Sequence, residues 1–495
     1  MSTQEIMEGT GRGAETIVLS ALIKFGAIVV GVILLILLFR IIKAKITGED
    51  IKQSLSGSGQ RKINATLKGS DLEISTKPQG FIFGKVNKTK KAFLPSDKEG
   101  HIIVFGGSGK GKTSALLIPS LRAWVGTFFA IDISGDINAN VHRDDEIILA
   151  PDDPDNSVLY NVFLAIDRCR TENEKRKKLE LLTNLIVEIP PNVNDTQYYF
   201  LNTGRKLLRA SLIAFYDLGY DFVDICKTIC FNNLKDLFDM IDAANNKQAS
   251  SIISSLKGAN EKNINGAKET LEDKVGLFAN DVNMEKLLRR PMEWDDGVQE
   301  PCFNLDMLED HCVFLQVPDR EQEYYAAFMR IVTGQVLDYI YTRNFKRGES
   351  KRILIALDEF ASLGHLELLA PFRKFRKFGA NLCVLTQELA DMDLTYSEKE
   401  RKAIIGNCKY ITVLNAVEPD TKEYFSKIIG KEQVERVSST QSSNSSSKST
   451  SLAEEFAVDP GEWNELGDNL IVIHPHGYAR LGLNFYYKED SKKHA

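Results

Sequence analysis

The stretch "HIIVFGGSGKGKTSALLIPS", residues 101–120, decides the fold. "HIIVF" is a short apolar run of the kind that forms a buried strand, and "SALLIPSLRAW" after the glycines begins as a helix. Between them Gly106, Gly107, Ser108, Gly109, Lys110, Gly111, Lys112 and Thr113 fit G-x-x-x-x-G-K-[ST], and Ser114 opens the helix. A loop whose backbone N–H groups all turn inward on a phosphate chain needs dihedrals that glycine adopts cheaply. The helix N-terminus behind it adds partial positive charge. Lys112 is therefore expected to reach the β- and γ-phosphates of ATP, and the Thr113 hydroxyl to ligate Mg²⁺. Pro119 falls where the helix interior should continue, which predicts a short or kinked helix.

A second stretch, "KRILIALDEFASLG" (351–364), is an apolar strand ending in two adjacent carboxylates, Asp358 and Glu359. Alone it is weak evidence; downstream of a P-loop it reads as the acid that holds the Mg²⁺ shell followed by the general base that polarises water. A third, "GANLCVLTQELADM" (379–392), is another apolar strand and ends in Gln387, an amide able to contact a γ-phosphate. Between the two lies "LLAPFRKFRKFG", with Arg373, Lys374, Arg376 and Lys377 interleaved with phenylalanines. An amphipathic helix with a solvated basic face explains it; so does an arginine that reaches the nucleotide of a neighbouring subunit.

Spacing sets the domain plan. About 245 residues separate Thr113 from Asp358, far more than a compact nucleotide-binding core needs. "TFFAIDISGD" (127–136), "EIILAPD" (146–152) and "CVFLQVPD" (312–319) read as further core strands, whereas 164–300 is dominated by helical periodicity. The expectation is an α/β fold: a RecA-like P-loop core in two parts, 93–163 and 301–487, with an inserted all-α domain at 164–300. A linker and start of body at 46–92 precede it, a mobile serine-rich loop interrupts it at 438–451, and a tail follows at 488–495. "GFIFGKV" (80–86) marks a short strand pair at the end of the linker.

Near the start of the 495 residues lies "IVLSALIKFGAIVVGVILLILLFRIIKAK" (17–45), long enough for one transmembrane helix if Lys24 and Arg40 snorkel. Acidic residues before it and basic ones after it place the bulk of the chain in the cytoplasm, on an inner membrane crossed once. The net charge of -6 excludes a globally basic nucleic-acid binder, so any DNA contact must use a local patch or a pore. "KRKKLE" (175–180) and "KLLRR" (286–290) are candidates, although solvated helix faces explain both. Seven cysteines and seven histidines show no disulfide or metal spacing, and His474 and His476 are expected in a loop.

Taken together, "GGSGKGKTSALLIPSL", "AIDISGD", "LYNVFLAID", "LDEFASLGHLELLAPFRKFRKFG" and "LCVLTQELADM" resemble the TraG/TraD family of type IV coupling proteins, related to FtsK/HerA DNA-pumping ATPases. The resemblance covers roughly residues 95–480, and Pro119 is part of what matches. It implies a membrane-anchored hexameric ATPase that brings a relaxase-bound DNA strand, secreted proteins, or both to a type IV secretion channel. DNA would be gripped without sequence preference. It also implies that Lys112 and Thr113 are the Walker A pair, Asp358 and Glu359 the Walker B pair and Gln387 the sensor. Arg376 would be the trans-acting arginine, with Arg373 as second choice. Many members carry two transmembrane helices, and only one is visible here. A DNA motor unconnected with secretion, and a receptor that binds ATP mainly to assemble, remain alternatives.

Overall fold

The computed structural model describes residues 66–133, 135–191, 193–292, 300–442 and 445–493. The expected membrane helix lies outside them, and among the described residues no helix is long and apolar enough to cross a membrane. The chain divides into two compact units, residues 64–430 with 458–495, and residues 1–63 with 431–457.

The first unit is built on one twelve-stranded sheet. The N-terminal strands are β1 (Glu73–Ser75), β2 (Gly80–Lys85) and β3 (Lys91–Pro95), followed by β4 (Ile102–Phe105), β5 (Phe128–Ile133) and β6 (Glu146–Leu149). A short separate pair, β7 (Leu159–Tyr160) and β8 (Cys302–Phe303), brackets the long helical segment. After it come β9 (Cys312–Val317), β10 (Ile353–Leu357), β11 (Ala380–Thr386) and β12 (Tyr410–Val413). The second unit holds β13 (Lys431–Ser442) and β14 (Ser445–Phe456); β15 (Asn469–His474) and β16 (Gly477–Gly482) complete the sheet.

The order across the sheet is β1-β3-β2-β16-β15-β12-β4-β11-β10-β5-β9-β6. From β12 to β6 every neighbouring pair is parallel, and from β15 to β1 every pair is antiparallel. The parallel strands at the centre are buried along their whole length, which is why β10 reads "ILIAL" and β11 "ANLCVLT" without alternation. Strand period still sorts their side chains. Ile103, Phe105, Ile353, Ile355 and Leu357 pack on the face that carries the long helical segment. Ile102, Val104, Leu354 and Ala356 pack on the face that carries the helix after the P-loop.

Among its described residues, the segment from Leu164 to Leu288 contains helices and their connections but no strand. After the short first helix, Leu164–Asp167, its helices start on Thr171, Asn194, Asp221, Asn233, Asn246, Asn260 and Asp281, whose side chains accept from first-turn N–H groups. Their apolar faces, including Leu182, Leu208, Phe215 and Leu271, join the same core as the sheet.

Three expectations change. The sheet of the nucleotide-binding core begins before residue 93, the boundary expected for it, because β1 to β3 pair into the main sheet. His474 is not a loop residue: it ends β15, buried, with Nε2 2.9 Å from the Thr66 carbonyl oxygen. Where a loop was expected at 438–451, β13 and β14 pair antiparallel with register Lys431↔Phe456 to Ser442↔Ser445. Ladder hydrogen bonds need no apolar side chains, so low hydrophobicity did not reveal it.

Candidate nucleotide site

The C-terminal edge of the parallel strands collects the chemistry. β4 ends at Phe105 and runs into the glycine loop, whose Gly109 and Gly111 have φ of 71° and 95°. These are left-handed values that strain a residue bearing a side chain. The loop is fixed by Gly106 N–H donating to the Thr386 carbonyl at 3.2 Å and Lys110 N–H donating to Gly107 at 3.3 Å. Ser108, Gly109 and Lys110 are exposed and Gly107, Thr113 and Ser114 half-buried, whereas Lys112 is buried, its Nζ donating to the Gly106 carbonyl at 2.8 Å. A further donor–acceptor pair was not foreseen: Gly107 N–H donates to Asn415 Oδ1 at 2.8 Å, from just beyond β12. Only an asparagine at a strand end marked it, which is no signal by itself.

The helix behind the loop is short and irregular, as Pro119 predicts. Lys112–Leu117 is π-helical, with Ile118 N–H donating to the Thr113 carbonyl, and Ile118–Ala123 continues as α-helix. Pro119 falls in the first turn of that second piece, where a missing N–H is tolerated.

Asp358 and Glu359 follow β10, two strands from β4. The Thr113 hydroxyl donates to Asp358 Oδ2 at 2.7 Å. Burial pushes the Asp358 carboxyl up, opposed by that hydrogen bond and by the Lys112 charge. Glu359 sits in the left-handed region at φ 46°, ψ 42°, a strained conformation for a residue with a side chain. Burial raises its pKa first, then the charges of Asp358, Asp319 and Asp391, with Lys112 pulling the other way. Glu359 and Gln387 line one cleft of about 260 Å³, together with Ser362, Thr386, Asp391 and Thr395. On β5, beside β10, Asp132 is fully buried and accepts from Ile137 and Asn138 N–H at 3.0 and 2.8 Å. Burial lifts its carboxyl to about 6.

The donor set suits a hard cation with a polyphosphate. A hydroxyl and a carboxylate lie within hydrogen-bonding distance, further carboxylates crowd Glu359, and the buried ammonium beside them is that of Lys112. Arg373 and Arg376 are not brought to this site. Both are exposed, on the turns that precede β11, so they lie at the N-terminal edge of the sheet while Gln387 lies at the other end of the same strand. Phe372 and Phe375 are buried beneath them.

The proposed DNA-gripping runs are largely engaged. Lys175 pairs with Glu172, Lys178 with Asp338, Lys286 with Asp155 and Arg289 with Glu300.

A parallel sheet with a P-loop after one strand and an acidic pair after another two places away defines a RecA-like P-loop nucleotide-binding protein. The chain belongs to the family described as Type IV secretory system Conjugative DNA transfer, whose model matches residues 49–494. It is 24% identical over 421 residues to the probable conjugal transfer protein TraG of Sinorhizobium fredii, covering 79% of this chain and 63% of that protein. It is 22% identical to the protein VirD4 of Rhizobium rhizogenes, covering 68% and 50%. The chain thus spans less than two thirds of the length of these relatives. Among solved structures, the bacterial conjugative coupling protein TrwB in its unbound form shares the fold at TM-score 0.60 and 19% identity, covering 78% of this chain and 84% of that one. TrwB with ADP and Mg²⁺ matches at TM-score 0.60 and 20% identity, covering 80% and 87%.

Proposed function

We propose that this chain is a membrane-anchored ring ATPase that couples DNA, protein substrates or both to a type IV secretion channel, powering or licensing transfer. The observation that carries the reading is the 2.7 Å hydrogen bond from Thr113 to Asp358, with Glu359 and Gln387 on one neighbouring cleft. ATP would bind on residues 106–114, with Lys112 reaching its β- and γ-phosphates. Thr113 and Asp358 would hold Mg²⁺, which would neutralise charge on the transferring phosphoryl group. Glu359 would take the proton of the attacking water, and Gln387, beside it, would read the γ-phosphate. The complexes of TrwB with ADP and Mg²⁺ and with a non-hydrolysable ATP analogue support the binding of ATP and Mg²⁺.

Arg376 would complete the site of a neighbouring subunit, which requires a closed ring, a hexamer by family resemblance. Its place at the edge of the sheet away from its own P-loop supports action in trans. The absence of strands among the described residues of Leu164–Leu288 supports an all-α insertion, and the apolar run at 17–45 a single-pass anchor in the inner membrane. Partners would be a relaxase-bound strand, secreted proteins and channel components, with phosphates gripped mostly without sequence preference.

Steady-state ATP hydrolysis by the full chain, with and without single- and double-stranded DNA and with Lys112→Ala as blank, tests the proposal. Stimulation by DNA that rises steeply with protein concentration is the expected result. Hydrolysis indifferent to DNA would point to a protein coupler, and no hydrolysis to a docking receptor.

A further inference from the structure

The P-loop strand β4 is central, with β11 and β10 on one side and β12, β15 and β16 on the other. Every acidic and amide group assigned to the phosphates' reactive end comes from the β11–β10 side. The other end of a bound nucleotide is therefore left to the β12–β15–β16 side. There the chain leaves β16, and Leu483 N–H donates to the Asp468 carbonyl at 2.8 Å. Next comes a cluster of three aromatic residues, Phe485, Tyr486 and Tyr487.

Phe485 rests against the P-loop itself. A Cβ built on Gly111 would lie 3.0 Å from Phe485 Cε1 and 3.5 Å from Cζ, on a residue whose φ of 95° already favours glycine. The helix that follows, Tyr486–Lys493, is tied down beside the P-loop helix. Arg122 donates to both carboxylate oxygens of Asp490 at 3.0 Å and lies 5.2 Å from the Tyr486 ring centroid, and Lys91 pairs with Glu489. Phe485 is half-buried and Tyr487 is 48% exposed, their centroids 5.2 Å apart with planes at 34°. The Lys488 ammonium sits 4.6 Å from the Phe485 centroid, which marks an accessible, electron-rich ring face.

We infer that Phe485, supported by Tyr487, is the platform on which the purine base of a nucleoside triphosphate stacks once its phosphates occupy the P-loop. The inference rests on the ATP reading above. It extends it by making the extreme C-terminal segment part of the nucleotide site. Aromatic rings attract any base through its π-face, so the platform holds purines without reading their edges. ATP and GTP are both accommodated. A flexible, solvated lysine yields the ring face to a flat base at little cost.

The test compares equilibrium binding of ATP and of inorganic tripolyphosphate to the full chain, wild type and variants. Phe485→Leu keeps apolar volume against Gly111 and removes the π-face. The expected result is ATP affinity weakened about tenfold, with tripolyphosphate affinity unchanged and Phe485→Trp retaining ATP binding. In Phe485→Trp, the fluorescence of the introduced indole is expected to change with ATP and not with tripolyphosphate. Equal weakening of both ligands in Phe485→Leu would show that the ring only props the loop, and unchanged ATP affinity would remove it from the site. Should Phe485→Leu fail to fold, Tyr487→Ala at its exposed position is expected to weaken ATP alone, and no change there would overturn the platform. Failure of wild type to bind either ligand would instead sink the ATP reading, and the platform with it.

Discussion

The Thr113 hydroxyl donates to Asp358 Oδ2 at 2.7 Å, joining residues 245 apart in the chain. The sheet makes the contact: β4 and β10 flank β11 in parallel register, so loops after their C-terminal ends emerge side by side. A shared hydroxyl and carboxylate are the oxygen ligands that Mg²⁺ prefers. Asp358→Asn is therefore expected to lower Mg²⁺-dependent hydrolysis at least about a hundredfold, while nucleotide binding without Mg²⁺ changes only a few-fold. A magnesium titration of both reactions checks it; equal loss in the absence of metal would assign Asp358 to nucleotide binding rather than to the cation.

Glu359 occupies a different position from its neighbour, half-buried and facing the cleft of Gln387. Glu359→Gln is expected to cut turnover by about a hundredfold or more with ATP affinity kept. Its raised pKa has a direction that can be measured. Because burial and the charges of Asp358, Asp319 and Asp391 favour the protonated form, the acid limb of kcat should lie above that of an ordinary glutamate. Asp319 is exposed and can be neutralised at little structural cost. Asp319→Asn should move that limb to lower pH, and an unmoved limb would mean that another group limits the acid side.

Asp132 offers a stability test. Its folded pKa of about 6 stands above the usual carboxylate value because burial outweighs two backbone hydrogen bonds. A carboxylate with a raised folded pKa is protonated more readily in the folded state, so it costs stability as pH rises from about 4 towards 6 and above. Ile137 and Asn138 N–H donate to different oxygens of Asp132, so Asp132→Asn removes the charge but keeps an acceptor for only one of them. Whatever pH-independent cost the lost hydrogen bond brings, the variant's stability relative to wild type is expected to rise by about 1–3 kcal/mol between pH 4 and pH 8. Denaturant unfolding at both pH values decides it. A gain independent of pH would place its origin outside ionisation.

The nucleotide site was legible because its parts carry local signals: glycines at fixed spacing, then apolar runs that end in Asp-Glu and in Gln387. Apolar runs also located the parallel strands β5, β6 and β9, whereas β12 was not foreseen. What stayed hidden has no local signature. Asn415 reaches Gly107 across 308 residues, and Phe485 meets Gly111 only because the sheet returns through β15 and β16. Of the antiparallel half of the sheet only "GFIFGKV" was foreseen, since β1 and β16 are polar or only half-buried and lack the continuous apolar run that marks a central parallel strand. The left-handed backbone of Glu359 could not be read from composition at all.

Arg376 is exposed at the end of the sheet remote from its own P-loop, so a role in hydrolysis must be exercised across subunits. Arg376→Ala should lower turnover by about a hundredfold or more without altering nucleotide affinity. Mixing inactive Arg376→Ala chains with inactive Lys112→Ala chains should restore part of the activity, because some mixed interfaces pair an intact P-loop with an intact arginine. No recovery in co-assembled rings would remove Arg376 from the trans site.

Arg330 links the acidic turn to the helical segment. Its guanidinium donates to the Leu185 carbonyl at 2.6 Å and the Leu363 carbonyl at 3.0 Å, and lies 3.0 Å from Glu188 Oε2. Glu188 in turn accepts from His365 N–H at 2.6 Å. A Cβ on Gly364, whose φ is 75°, would lie 2.3 Å from Glu188 Oε2. Leu185 belongs to the helix Glu172–Ile186, and Leu363 to the turn that follows Glu359, so one buried cation holds both. Arg330→Met should cost about 3–5 kcal/mol, since it leaves Glu188 without its cation and strips the Leu185, Ile186 and Leu363 carbonyls of this donor. Pairing it with Glu188→Gln should recover about 1 kcal/mol or more in a double-mutant cycle. Strictly additive losses would show that Arg330 acts through the carbonyls alone. If the link carries nucleotide state to the helices, the double variant, though folded, should keep basal hydrolysis and lose its stimulation by DNA.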